Sequence, residues 1–349
     1  MGVRARVADA LHRTGALGAA LTVRRRLPAR SVAVVTYHHV CDPDRDYPFD
    51  PDVADVTPAQ FRRQLALLAR HFTIIDLPTL EASLDGAPLP PNPCLITFDD
   101  GYRSNLTVAL PALREVGATA TFFIATGFTT HRRLYWWDRI AYLVHHAQVA
   151  SLALTYPTAR TVPLADRGAA RGELTKLVKN TRGLELGRFL DELAAAAGVP
   201  WSRERERALA DELIMTWDEI RALAAAGMAI ESHTRDHRVL ESLPAAELAD
   251  DLAGARAELA RELGGPRYAI AYPVGRSIAG YPEVRAAVAA AGYRLGFTNA
   301  SGRLRVVGRP GLDRLDLARV AVDRDLPDAV FLAQLTSDRF GFVRRAPSP

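Results

Sequence analysis

A chain of 349 residues that is 48% hydrophobic can bury a large core, which excludes a disordered chain and fits one large α/β domain or two smaller ones. The net charge is only +4, nearly all basic residues are arginine (Lys176 and Lys179 are the two lysines), and no basic stretch is interleaved with aromatics. A nucleic-acid partner is therefore not expected.

Residues 1–30 form a basic, mildly amphipathic segment. Val7, Leu11, Leu17, Ala20 and Leu21 recur at near-helical spacing among Arg4, Arg6, Arg13, Arg24, Arg25 and Arg26. His12, Arg13 and Thr14 break the continuous apolar core that a signal peptide needs. The segment has two readings: an interfacial helix making peripheral contact with anionic lipid at the inner membrane face, or a helix packed on the domain. The second is preferred. No stretch is long and apolar enough to span a bilayer, so a cytoplasmic location is expected.

From residue 31 the chain reads as one domain to residue 349. The β-branched run 32–37 predicts a buried strand that ends at His38 and His39. Residues 41–55, rich in Asp and Pro, predict a loop. Thr57-Pro58 predicts a helix start, with Phe61, Leu65 and Leu68 on its inner face, and a strand follows over 72–77. A strand over 94–98 ends in Asp99-Asp100-Gly101. A helix over 108–116 and a strand over 119–125 come next. Cys41 and Cys94 each border a strand and read as reduced thiols, not a disulfide framework.

The alternation then breaks. Residues 131–213 are mostly helical in pattern and predict an insertion over one face. Trp136 and Trp137 either stack on a sugar ring or anchor the insertion to the body of the fold. Thr216 with Glu219 forms a capping box, and alternation resumes with strands over 228–232, 268–272, 295–298 and 318–322 and helices over 244–263 and 282–291. Seven or eight βα repeats predict an α/β fold, a deformed (β/α)7-8 barrel.

In such a barrel the active site lies at the C-terminal strand ends, and His38, Asp99, Asp100, His233 and Pro273 all fall there. His233 and His237 are four residues apart, so a helical turn after the strand would bring both rings to one metal. Side chains of adjacent Asp residues on extended backbone diverge, so one can bind metal while the other faces substrate.

The segments Thr97-Phe98-Asp99-Asp100-Gly101 and His233-Thr234-Arg235-Asp236-His237 resemble the first two motifs of the polysaccharide deacetylases, the NodB-homology enzymes of carbohydrate esterase family 4. The resemblance spans about residues 32–322, with the insertion outside the common core. It implies a divalent metal, usually zinc with cobalt or nickel as alternatives, on Asp100, His233 and His237. It implies Asp99 as the general base toward water and an oxyanion held by metal and the backbone N–H of Tyr102.

The chain departs from the pattern in two places. The family's third motif, Arg-x-Pro-aromatic-Gly, corresponds to Ala271-Tyr272-Pro273-Val274-Gly275, which lacks the arginine but keeps Tyr272 and Pro273 at the substrate side. No histidine follows His237, so the usual late catalytic acid is absent. Tyr37-His38-His39-Val40 resembles the N-terminal segment of the circularly permuted exopolysaccharide deacetylases, which implies His38 as the acid, on the far side of the metal from Asp99. His39 would point away. Arg319, near the last strand, would replace the lost arginine and orient Asp99.

The expected activity is metal-dependent removal of N-acetyl groups from an N-acetylhexosamine-containing polysaccharide or glycoconjugate. Alternatives are a glycan-binding pseudoenzyme built on Trp136 and Trp137, or an O-acetyl esterase or cyclic amidase of the same superfamily.

Overall fold

The apolar runs form strands, and the strands form a ring. The computed structural model describes residues 3–43, 47–307 and 311–336. In it Ser31–Tyr37 pairs with Pro93–Phe98, followed in order by Thr121–Ile124, Ala229–Ser232, Ala269–Ala271 and Leu295–Thr298, every neighbour parallel. The strand expected over 318–322 is split at Arg319. Leu317–Ala318 pairs with Leu295–Thr298, while Val320–Ala321 pairs with Ser31–Tyr37. One segment thus joins the last strand to the first, and the architecture is a deformed α/β barrel.

Strand alternation sorts the side chains into two layers. Val32, Val34, Leu95, Phe123, Ala269, Leu295 and Phe297 belong to one cluster, which the helix Leu77–Leu84 also joins. Val35, Tyr37, Ile96, Phe98, Phe122 and Ile124 face the other way and meet Phe61, Leu65 and Leu113 of the surrounding helices. Local chemistry sets the helix starts. Thr57 Oγ1 accepts from Gln60 N, Asp76 caps the helix at Leu77, and Thr216 and Glu219 form the reciprocal box.

The structure corrects the sequence reading in three places. The stretch 41–55 is not wholly irregular, because His39–Val40 pairs in parallel with Ala54–Val56. The insertion is not all helix: Ser151–Leu154 and Arg160–Pro163 form an antiparallel hairpin, with Leu152 and Leu154 on its buried face. It joins the helices Trp136–His146, Arg167–Asn180, Leu186–Ala197 and Arg203–Leu213 in a core of their own. The strand over 72–77 is only Thr73–Ile75.

The N-terminal segment is two helices, Val3–Arg13 and Ala16–Arg24, packed against the buried C-terminal helix Asp328–Thr336. Ala8, Leu17 and Leu21 are buried in the main core, and Arg24 caps that helix by donating to Thr336 O at 2.7 Å. Much of the expected apolar stripe is therefore spent on the domain, while Val7, Val23 and Leu27 stay exposed. No described helix is long and apolar enough to cross a membrane.

Candidate metal centre and active site

The strand Pro93–Phe98 delivers two carboxylates by turning sharply at its end. Asp99 N donates to Tyr37 O at 2.9 Å, which extends the ladder by one residue. Asp100 and Gly101 then take φ values of 72° and 89°. Gly101 is needed there, since a Cβ would sit 3.1 Å from Ile124 Cδ1 on a left-handed backbone. The turn sends the Asp99 and Asp100 carboxylates to different partners.

The histidine segment follows Ala229–Ser232 but is not a helical turn. His233 N donates to Ile124 O, and Thr234 and His237 have positive φ values of 65° and 48°. Thr234 Oγ1 accepts from His237 N, and the Asp251 carboxylate accepts from Arg235 N and Asp236 N. This bend, not α-helical spacing, brings the rings together at 4.8 Å between centroids. His233 Nδ1 lies 2.8 Å from Ala271 O, which makes Nδ1 the protonated nitrogen and leaves the Nε2 lone pair facing Asp100.

Asp100 Oδ1 lies 3.3 Å from His233 Nε2 and 3.4 Å from His237 Nε2. All three residues are buried, and Asp100 Oδ1 has no hydrogen-bond partner. Burial, and then the neighbouring His233, push the His237 ring down to about 3, so it is neutral. Two imidazoles and a buried carboxylate oxygen without a hydrogen-bond partner are the donor set of a divalent transition-metal site. The two separations from Asp100 Oδ1 match the edge of a tetrahedron, roughly 3.4 Å for bonds of about 2.1 Å, and all three ligand atoms lie within 4.8 Å of one another. These residues fit a metal ion.

Asp99 is gripped by Arg319, with Nη1 2.8 Å from Oδ1 and Nη2 2.6 Å from Oδ2. Both side chains are almost wholly buried. Arg319 Nη1 also lies 3.3 Å from Thr97 Oγ1, and Nε lies 3.3 Å from Thr298 O. Burial alone would raise the Asp99 carboxyl, but the Arg319 charge and its hydrogen bonds outweigh this and hold it at about 2.

His38 ends the first strand beside Asp99. Its Nδ1 is 2.7 Å from Asp55 Oδ2, and that same oxygen accepts from His38 N at 2.6 Å. Burial pushes this imidazole down, but Asp55 first, with Asp100 and Asp99, lifts it to about 9. His38 Nε2 is 3.9 Å from Asp99 Oδ2. The two groups stand side by side, not on opposite sides of the triad, because Tyr37 pairs with Phe98 on adjacent strands.

The other sequence-selected residues are placed differently. Trp136 and Trp137 are 6% and 5% exposed, so neither offers a free face to a sugar; they anchor the insertion. Trp137 lies against His237, ring centroids 4.7 Å apart, and its indole N–H donates to Tyr102 Oη at 2.8 Å. Tyr102 Oη donates to Asp138 Oδ2 at 2.8 Å, so its phenol is turned into the insertion, and only its backbone is left for the site. Tyr272 Oη donates to Leu315 O, away from the triad, while Pro273 is buried at the start of a turn with Val274 at φ 55°. His39 packs on Tyr102 and pairs with Ser104 Oγ.

Three residues around the centre escape the sequence reading. Asp55 sits in a stretch read as loop. Tyr135 donates to Asp100 O at 2.5 Å, and the fully buried Asp138 accepts from Tyr102 Oη and Asp50 N. The one available signal was Asp138 itself, a carboxylate within the apolar run 134–144.

The family model described as polysaccharide deacetylase matches residues 86–170 and 192–296, more than half of the chain. Among solved structures, the chain is similar to the Streptococcus pyogenes deacetylase PplD in complex with acetate. That match has 17% identity and a TM-score of 0.58, covering 88% of this chain and 99% of that one. It is also similar to IcaB from Ammonifex degensii (20% identity, TM-score 0.53, covering 89% and 99%). A third is the BpsB deacetylase domain from Bordetella bronchiseptica (19%, 0.52, covering 85% and 98%). At these identities the likeness is one of fold. No curated relative matches the chain.

Proposed function

Because this chain belongs to the polysaccharide deacetylase family, we propose that it is a metal-dependent hydrolase that removes N-acetyl groups from an N-acetylhexosamine-containing polysaccharide or glycoconjugate. The observation that carries this reading is the convergence of three pieces at one barrel mouth: Asp100 with His233 and His237, Asp99 with Arg319, and His38 with Asp55.

Asp100, His233 and His237 would hold a divalent ion, zinc by preference with cobalt or nickel as alternatives. Such an ion supplies Lewis acidity to the acetyl carbonyl and the attacking water. The remaining work falls to the chain. Asp99, kept ionised by Arg319, accepts the proton of the attacking water. The bidentate grip also fixes which carboxylate edge faces the substrate. His38, kept protonated by Asp55, donates from Nε2 to the leaving amine. An amide anion departs too poorly without that proton. The backbone N–H of Tyr102, which follows the Asp99-Asp100-Gly101 turn, is assigned to the developing oxyanion.

An intact constellation counts against a pseudoenzyme, and so does the burial of Trp136 and Trp137, which removes its binding platform. Peripheral contact with anionic lipid draws support from what the packing leaves outside: Val23 and Leu27, 59% and 57% exposed, beside the exposed Arg25 and Arg26.

The test is acetate release from N-acetylglucosamine oligomers, compared with release from an O-acetylated oligosaccharide by the same metal-loaded chain. The reading expects the N-acetyl substrate to be preferred. Turnover confined to the O-acetyl ester would move the chain to the esterase alternative.

A further inference from the structure

We propose that Tyr135 is a positioning residue for the metal centre: its hydroxyl holds the left-handed Asp100 peptide that aims the Asp100 carboxylate at His233 and His237. This inference rests on the metal reading above and adds to it a role for the insertion.

Asp100 is a non-glycine residue at φ 72°, a conformation that persists only where its surroundings over-determine it. Were the peptide to relax toward the extended form of the preceding strand, the carboxylate would leave the two Nε2 atoms it now approaches at 3.3 and 3.4 Å. Tyr135 Oη donates to the carbonyl of this residue at 2.5 Å. Gly101 N donates to Asp99 O at 2.9 Å within the turn, and Met215 N to Gly101 O and Arg103 N to Leu213 O fall after it; among the described residues the hydrogen bond to the Asp100 carbonyl comes from Tyr135.

The phenol is itself fixed. It is fully buried, stacked on Trp137 with centroids 4.5 Å apart and planes 8° apart, and packed on Phe128 at 4.3 Å. Trp137 in turn lies against the His237 ring. The residues that open the helix Trp136–His146 therefore touch two of the three ligands. Packing alone does not explain the hydroxyl, since phenylalanine would fill the same space. Among the described residues, the hydrogen bond this oxygen makes is to the Asp100 carbonyl.

The experiment uses the full-length metal-free chain, titrated with Co2+ and with Zn2+ against a chromophoric chelator. Asp100→Ala serves to assign the ion to the triad. Tyr135→Phe removes one oxygen and should weaken both ions about three- to tenfold, with a changed visible spectrum of the Co2+ form. Tyr37→Phe is the control for general destabilisation. It also loses a buried phenol bond, to Gln64, and should leave both affinities unchanged even if its melting temperature falls as far. Equal affinities in wild type and Tyr135→Phe overturn the inference, as does equal weakening by Tyr37→Phe. A wild-type chain that binds neither ion removes the metal reading and this inference with it.

Discussion

Replacing Asp55 by Asn should move the alkaline limb of the deacetylation rate to lower pH. His38 is lifted from its ordinary 6.5 to about 9, and Asp55 is the largest of the groups that raise it. That net lift of about 2.5 units corresponds to about 3 kcal/mol in favour of the imidazolium. Because burial opposes the lift, losing the Asp55 charge should bring the ring down toward its ordinary value, a drop of up to about two and a half pH units. The sign follows from the role. His38 acts in its protonated form, so the rate is full below its pKa and is lost as pH rises through it.

At pH 8 about nine-tenths of the wild-type rings are protonated, against a few hundredths to a tenth in the variant. Protonation alone thus costs roughly ten- to thirtyfold at pH 8 but less than about twofold at pH 6. A bound divalent ion lowers both values together, so the separation between the two limbs is the quantity to read. The assay is the pH profile of kcat/KM for acetate release from an N-acetylglucosamine oligomer, with Asp55→Asn beside wild type. A limb that stays where it is in Asp55→Asn would refute the coupling of Asp55 to the acid.

Three further outcomes are expected. Asp99→Asn should keep the metal and lower turnover by about two to four orders of magnitude, the range for loss of a general base; near-normal turnover would mean another group takes the proton. His38→Ala should cut hydrolysis of an N-acetylated oligosaccharide by about a hundredfold or more while largely sparing an aryl acetate, whose leaving group needs no proton; equal losses on both substrates would make His38 structural. Reversing Arg25 and Arg26 to Glu should abolish salt-sensitive binding of the full chain to anionic vesicles, each basic residue contributing on the order of 1 kcal/mol; vesicle binding unchanged by the reversal would argue for the packed helix as the segment's whole role.

The barrel was legible because its strands are buried on both faces and read as unbroken β-branched and aromatic runs. Strand ends are where such a barrel places chemistry, and that is why His38, Asp99, Asp100 and His233 stand out in the sequence, whereas Arg319 is suggested only by the arginine missing from the family's third motif. What was hidden depends on tertiary partners. Asp55 looks like any acidic loop residue until His38 is beside it. The His233–His237 bend is held by Asp251 from a later helix, which no local spacing reveals. The hairpin strands Ser151–Leu154 and Arg160–Pro163 are only four residues each, too short for alternation to stand out within a helical background. The adjacent Trp136 and Trp137 allow a sugar platform or an anchor equally well by sequence; only their burial distinguishes the two.

The central claim is that Asp100, His233 and His237 hold one divalent ion on which deacetylation depends. Elemental analysis of the purified chain beside Asp100→Ala and His233→Ala tests it most directly. The account predicts about one ion per wild-type chain, none retained by either variant at micromolar metal, and acetate release that tracks the metal content. Equal metal in all three proteins, or full activity after the ion has been stripped, would contradict it.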